Sequence, residues 1–201
     1  NTTMGIRSSR SELLEGSRSL EGCNEITKQI WLGDCKAAKK IVLGNEDAYT
    51  LLGITHVLDV SDRIHYSPDE KLHKTKVLKV PMKDGGHTAL DEKHLSICFG
   101  FIEDSIKSGG KVLVHCHVGI NRSASIVIAW LMKSKSWNLE RTLKELRKKR
   151  SVYPYAYISK LAEYEKRLVN EGMTQSIIKN PMPKDKEADQ ILATICSKSC
   201  T

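Results

Sequence analysis

Three short runs in the middle of the chain are rich in apolar and β-branched residues with no strict alternation: 54–60 (ITHVLDV), 75–82 (TKVLKVPM) and 112–114 (VLV). A strand wetted on one face alternates, whereas a strand apolar on both faces belongs to a sheet covered by helices on both sides. A fourth short strand is predicted over 25–33 (EITKQIWLG), closed by Gly33. Between these runs the period lengthens. Residues 34–53 read as mostly helical and stop at Gly53, and 90–110 reads as a helix with Asp91 as N-cap and Gly109–Gly110 as its stop. The stretch SASIVIAWLMKS after Arg122 is apolar almost all round, which predicts a buried helix. Asn138 can cap a further helix over 139–150, and 157–169 supplies a last one. Strands alternating with helices predict one α/β domain, with a mostly parallel central sheet flanked by helices. Its expected extent is 23–170. Residues 1–22, polar and rich in Ser, Arg, Glu and Gly, are expected to form a flexible tail, and 171–201, which contains NPMPKDKEADQ, a loose extension.

Composition narrows the class. The chain has 201 residues, 40% apolar and 28% charged, as a soluble globular domain requires. Its apolar runs fall well short of the roughly 18–20 residues that span a bilayer, and no apolar signal core is expected at the N-terminus. The net charge of +8 raises the question of nucleic acid. The basic run KELRKKR (144–150), however, shares its helix with Leu139, Leu143 and Leu146, so it is expected to be that helix's solvated face. Aromatic residues are only 5%, too few for a stacking surface, and nucleic acid is not an expected partner. The six cysteines are scattered without a CxxC pair, which predicts free thiols in a reducing, intracellular compartment, cytoplasmic or nuclear. MGIRSS (4–9) fits an N-myristoylation pattern, so membrane attachment through Gly5 is expected only if Met4 is the start.

The chemistry concentrates in HCHVGINRS (115–123), directly after the third apolar run. A loop between a buried strand and a buried helix aims backbone N–H groups and the positive end of the helix dipole at one point, where phosphate is the natural occupant. Cys116 lies in that field, which favours its thiolate. Gly119 allows a tight curl. Arg122 can return beside the cysteine and grip two phosphate oxygens with its planar fork. Ser123 can donate its hydroxyl to the sulfur. The implied chemistry is phosphoryl transfer to sulfur. Zinc binding by His115, Cys116 and His117 is not expected, because adjacent residues at a strand end point different ways and no second ligand pair stands at zinc spacing.

This stretch resembles the His-Cys-x5-Arg-Ser/Thr signature of the cysteine-dependent protein phosphatases. IWLGDCKAA, LGITHVLDV, GGKVLVHCHVGINRSASIVIAWLM and LRKKRSV are similar, in that order, to segments of the dual-specificity branch, over about 25–169. The resemblance implies a phosphatase-like fold and hydrolysis of phosphotyrosine and phosphoserine or phosphothreonine on proteins, protein kinases among them. It implies Cys116, Arg122, Asp84 and Ser123 as catalytic residues and no metal or cofactor. It implies substrate phosphate held by His117, Val118, Gly119, Ile120, Asn121 and Arg122, the loop residues acting mainly through their backbones. Two carboxylates in VPMKDGGHTALD (80–91) could serve as general acid, Asp84 and Asp91. Asp84 precedes two glycines on a loop and matches the family's acid position, whereas Asp91 reads as a helix cap. Two alternatives share the motif: a phosphate-binding module without turnover, and an RNA 5′-phosphatase. The family's Pro-Asn-x-Gly-Phe-like stretch is replaced here by YPYAY (153–157).

Overall fold

The computed structural model describes residues 20–43, 52–63, 75–86 and 90–172. Apart from 20–22 and 171–172, both expected tails lie outside these residues, as do Gly5 and much of the second half of the helix expected over 34–53. Five strands, β1 (Cys23–Glu25), β2 (Ile30–Gly33), β3 (His56–Asp59), β4 (Lys76–Lys79) and β5 (Val112–His115), form one sheet in the order β1-β2-β5-β3-β4. Only β1 is antiparallel to its neighbour. Among the described residues five α-helices lie around the sheet: α1 (Cys35–Val42), α2 (Glu92–Lys107), α3 (Arg122–Lys135), α4 (Leu139–Arg147) and α5 (Ile158–Asn170). The architecture is the mostly parallel α/β sheet that the apolar runs predict.

Alternate residues of the central strands feed two separate cores. Trp31, Leu113 and Val57 stand abreast across β2, β5 and β3 and pack with Ala37, Ala38, Ile41 and Val42 of α1. One step along, Leu32, Val114 and Leu58 stand abreast on the other face, under α2, α3, α4 and α5. Ten of the fourteen residues of α3 are buried, so this helix runs inside the larger core rather than over it. The next step brings Gly33, His115 and Asp59 abreast at the carboxyl ends of the three strands. Ligands of open α/β sheets bind at that edge, and the register therefore places the chemistry.

Both predicted caps operate: Asp91 accepts from the N–H of His94 at 2.8 Å, and Asn138 from that of Arg141 at 2.8 Å. The single strand expected over 25–33 is instead a hairpin of β1 and β2. The Thr27 hydroxyl accepts from the N–H of Ile30 at 3.0 Å and turns the chain between them. The helix expected over 139–150 ends at Arg147, which releases the last basic residues from the helical face.

Leu113 is fully buried on the central strand. Leu113→Ala removes side-chain contacts that the rigid sheet cannot close over, so urea unfolding should show a loss of about 2–5 kcal/mol. A loss below about 1 kcal/mol would mean that the α1 face is not a close-packed core.

Candidate active site

The loop 116–121 joins the end of β5 to the start of α3, and its shape follows from where its carbonyls point. The His117 carbonyl accepts from the Cys35 N–H at 3.1 Å and the Ile120 carbonyl from the Tyr153 N–H at 3.1 Å. Arg150 donates from Nη2 to the Val118 carbonyl at 3.0 Å and from Nε to the Gly119 carbonyl at 2.9 Å. The Asn121 carbonyl accepts both the N–H and the hydroxyl of Ser125, at 2.9 and 2.8 Å. Every carbonyl from His117 to Asn121 is thus held outward. In a trans peptide the next N–H points the opposite way, so the N–H groups of residues 118–122 face the concave side. Gly119 has a left-handed φ of 78°, and a Cβ there would run into the Gly33 carbonyl oxygen and approach Arg150 Nη2 at 2.7 Å. Only glycine fits.

The sulfur of Cys116 lies at the centre of this curl, 2% exposed. It accepts the Gly119 N–H at 3.2 Å and the Ser123 hydroxyl at 3.3 Å. Burial pushes the thiol pKa up. The Ser123 hydroxyl, the N–H groups of Ser123 and Gly119 and the Arg122 charge outweigh burial and hold it below the ordinary value. Burial acts unopposed on Cys98, whose thiol is pushed up to about 12, and Cys23 is raised to about 11. Of these three thiols, Cys116 is the one whose stabilising contacts outweigh its burial.

Arg122, also buried, brings its guanidinium to the same edge. Nη1 donates to Asp62 at 2.6 Å and to the Met82 carbonyl at 3.3 Å, and Nη2 lies 3.4 Å from Asp84. Asp84 opens a short turn, Asp84–Gly86, and its side chain is 61% exposed at the rim. Asp91 is committed as the cap of α2. The geometry therefore brings Asp84, not Asp91, to the arginine. His117 and Val118 are exposed, Ile120 is half-buried, and the buried side-chain amide of Asn121 has no protein hydrogen-bond partner. Among the described residues no cluster of His, Cys, Asp and Glu could hold a metal ion.

Four supporting residues were given no role at the site by the sequence. Asp62 follows β3 in a loop with no motif of its own. Arg150 belongs to the basic run whose charges read as a solvated face. It instead turns inward, half-buried against the loop, while Lys148 and Lys149 stay exposed. Asp59, 1% exposed, accepts from Lys79 at 2.7 Å and from the Ser61 N–H at 2.8 Å, and it lies 3.7 Å from Nε2 of the fully buried His115. His115 Nδ1 faces the Cys116 carbonyl at 3.1 Å, so the imidazole connects the carboxylate to the cysteine's own peptide. Tyr157, buried in the divergent YPYAY segment, donates its hydroxyl to the Lys83 carbonyl at 2.7 Å, one residue before Asp84. The alternation of aromatic residues in that segment is a signal, but it does not say which ring turns inward.

A family model, that of the dual specificity phosphatase catalytic domain, matches residues 31–167. The chain belongs to the dual-specificity phosphatase family. It is 33% identical over 166 residues to Dual specificity protein phosphatase 1B of Arabidopsis thaliana, covering 81% of this chain and 92% of that protein. It is also 33% identical over 148 residues to Dual specificity protein phosphatase 5 of Rattus norvegicus, covering 72% of this chain but only 36% of that longer protein. Among solved structures, that of DUSP15 superposes with a TM-score of 0.61 at 25% identity, covering 78% of this chain and all of that one. A dual-specificity phosphatase domain is thus present over the region where the loop, the sheet edge and the Asp84 turn meet. Within it, the Tyr157 hydroxyl is the atom that ties down the turn before Asp84.

Ser123→Ala removes one of the contacts that favour the anionic sulfur. The pH midpoint for iodoacetamide alkylation of Cys116, followed by mass spectrometry, should move upward while the folded structure persists. An unchanged midpoint would mean that the backbone and Arg122 suffice on their own.

Proposed function

We propose that this domain hydrolyses phosphorylated proteins in two steps through a cysteinyl-phosphate, accepting phosphotyrosine as well as phosphoserine and phosphothreonine. The observation that carries this reading is the anion-stabilised Cys116 sulfur at the focus of inward N–H groups, with Arg122 beside it. In the first step the thiolate attacks phosphorus and an S–P bond forms. The ester P–O bond breaks, and Asp84 protonates the departing oxygen. In the second step the Asp84 carboxylate takes a proton from water as the water oxygen attacks phosphorus. The S–P bond breaks, its electron pair returns to sulfur, and the Ser123 hydroxyl stabilises the released thiolate. The loop N–H groups and Arg122 hold the equatorial oxygens in both steps, where charge accumulates.

The rim supports dual specificity. Val118 of the loop and Tyr155 of the segment after α4 are exposed, at 53% and 67%, and offer apolar surface to either an alkyl or an aryl phosphoester. Retention of Cys116, Arg122 and Asp84 argues against a module that binds phosphate without turnover, and no specific observation favours RNA. The free thiols Cys23, Cys35, Cys98 and Cys116 fit a reducing compartment, cytoplasmic or nuclear, where phosphorylated kinases would be among the available substrates.

Phosphate release from a peptide carrying phosphothreonine and phosphotyrosine, with chelator present, tests the reading. Wild-type protein should release both phosphates and Cys116→Ser neither. Asp84→Asn should slow the phosphothreonine site by about 10²–10⁴-fold, and an aryl phosphate with a good leaving group by less than about tenfold. Equal losses on both substrates would remove Asp84 from the acid role, and the selective loss appearing in Asp91→Asn instead would reassign it.

A further inference from the structure

Asp62 is the carboxylate in closest contact with Arg122, yet it stands 60 residues away in sequence and outside every motif. At 2.6 Å its Oδ1 makes a short charge-assisted bond to Nη1, nearer than the 3.4 Å between Nη2 and Asp84. Nη1 also reaches the Met82 carbonyl at 3.3 Å. Two partners from different segments therefore fix one corner of the guanidinium. The edge formed by Nε and Nη2, touched only by the longer 3.4 Å contact to Asp84, is the one that can grip two phosphate oxygens.

Asp62 is linked to the other half of the site through the arginine. The Arg122 guanidinium beside it holds its carboxyl below the usual range, and the same guanidinium meets the Met82 carbonyl at 3.3 Å and Asp84 at 3.4 Å. Asp62 thus holds the group that bridges the loop and the acid-bearing turn. Tyr157 fixes that turn from the far side through the Lys83 carbonyl. The Asp62 side chain is 39% exposed, so it has no large packing role.

We propose that Asp62 is a positioning residue: it sets the Arg122 fork edge-on to the substrate phosphate and couples it to the Asp84 turn. The inference rests on the reading of Arg122 as phosphate clamp and Asp84 as acid. Its physical content is directional. Asp62 does not compete with phosphate for Arg122, because it holds the corner that phosphate does not use.

The test compares wild-type protein with Asp62→Asn and Asp62→Glu in three measurements: the melting temperature, calorimetric affinity for inorganic phosphate, and kcat and KM on an aryl phosphate and a phosphothreonine peptide. Asp62→Asn should melt within a few degrees of wild type yet bind phosphate about tenfold more weakly. It should lose about 10–100-fold in kcat, as expected when a clamp is displaced by a fraction of an ångström. The loss should be larger on the phosphothreonine peptide, whose poor leaving group depends on the acid. Asp62→Glu, which keeps the charge, should recover part of it. Unchanged phosphate affinity and kcat in Asp62→Asn would overturn the proposal, and tighter phosphate binding would show that Asp62 competes with substrate. The phosphate titration reads the positioning even without turnover: a wild-type protein that binds phosphate without releasing it from peptides defeats the phosphatase reading, whereas unaltered binding in Asp62→Asn defeats this one.

Discussion

For a cysteine only 2% exposed to carry charge on its sulfur, that charge must be met by protein donors, because a bare anion in such a place costs several kcal/mol. The loop meets this need by turning its carbonyls away. Donors on the convex side, from Cys35, Arg150 and Tyr153, take the carbonyls of residues 117 to 120, and the first turn of α3 takes that of Asn121 through Ser125. The N–H groups are left facing inward, toward sulfur and an incoming phosphate. Each such bond contributes only about 0.5–1.5 kcal/mol net, but together they fix a geometry that a free loop would not keep. The convex-side contacts therefore shape the electrostatics of the concave side.

The fold supplies these donors from distant parts of the chain. Parallel β2, β5 and β3 end side by side, so Gly33 sits under Gly119 and Asp59 beside His115. The buried helix α3 delivers Arg122 and Ser123 from its first turn. The segment after α4 returns to place Arg150 behind the loop, and Tyr157 then tethers the residue before Asp84. Two core clusters on opposite faces of the sheet hold these pieces in register. Catalytic order at the edge depends on packing beneath it.

The features legible in sequence were those written locally. Apolar runs marked the parallel strands, the all-round apolar stretch marked α3, and the Asp91 and Asn138 caps marked their helices, because each depends on neighbours a few residues away. The Cys116, Gly119, Arg122 and Ser123 spacing is equally local. The β1–β2 hairpin was not legible, because β1 has only three residues, two of them polar and exposed. Asp62, Asp59 and Arg150 were hidden for a different reason. Their partners lie 60, 56 and about 30 residues away, and a polar side chain in a loop or a basic run looks the same before and after it finds such a partner. Tyr157 lies between these cases: its segment departs visibly from the expected pattern, but only the packed structure shows that it tethers the residue before Asp84.

The most direct test of the account is to catch the bond that the loop is built to stabilise. The protein would be mixed with a ³²P-labelled phosphotyrosine peptide, quenched within milliseconds, digested and mapped by mass spectrometry. Phosphate should appear on Cys116 as an S–P adduct, labile to iodine as thiophosphates are, and should decay as free phosphate is released. Turnover with no adduct on Cys116, or with the label on another residue, would contradict the central claim that this thiolate is the nucleophile.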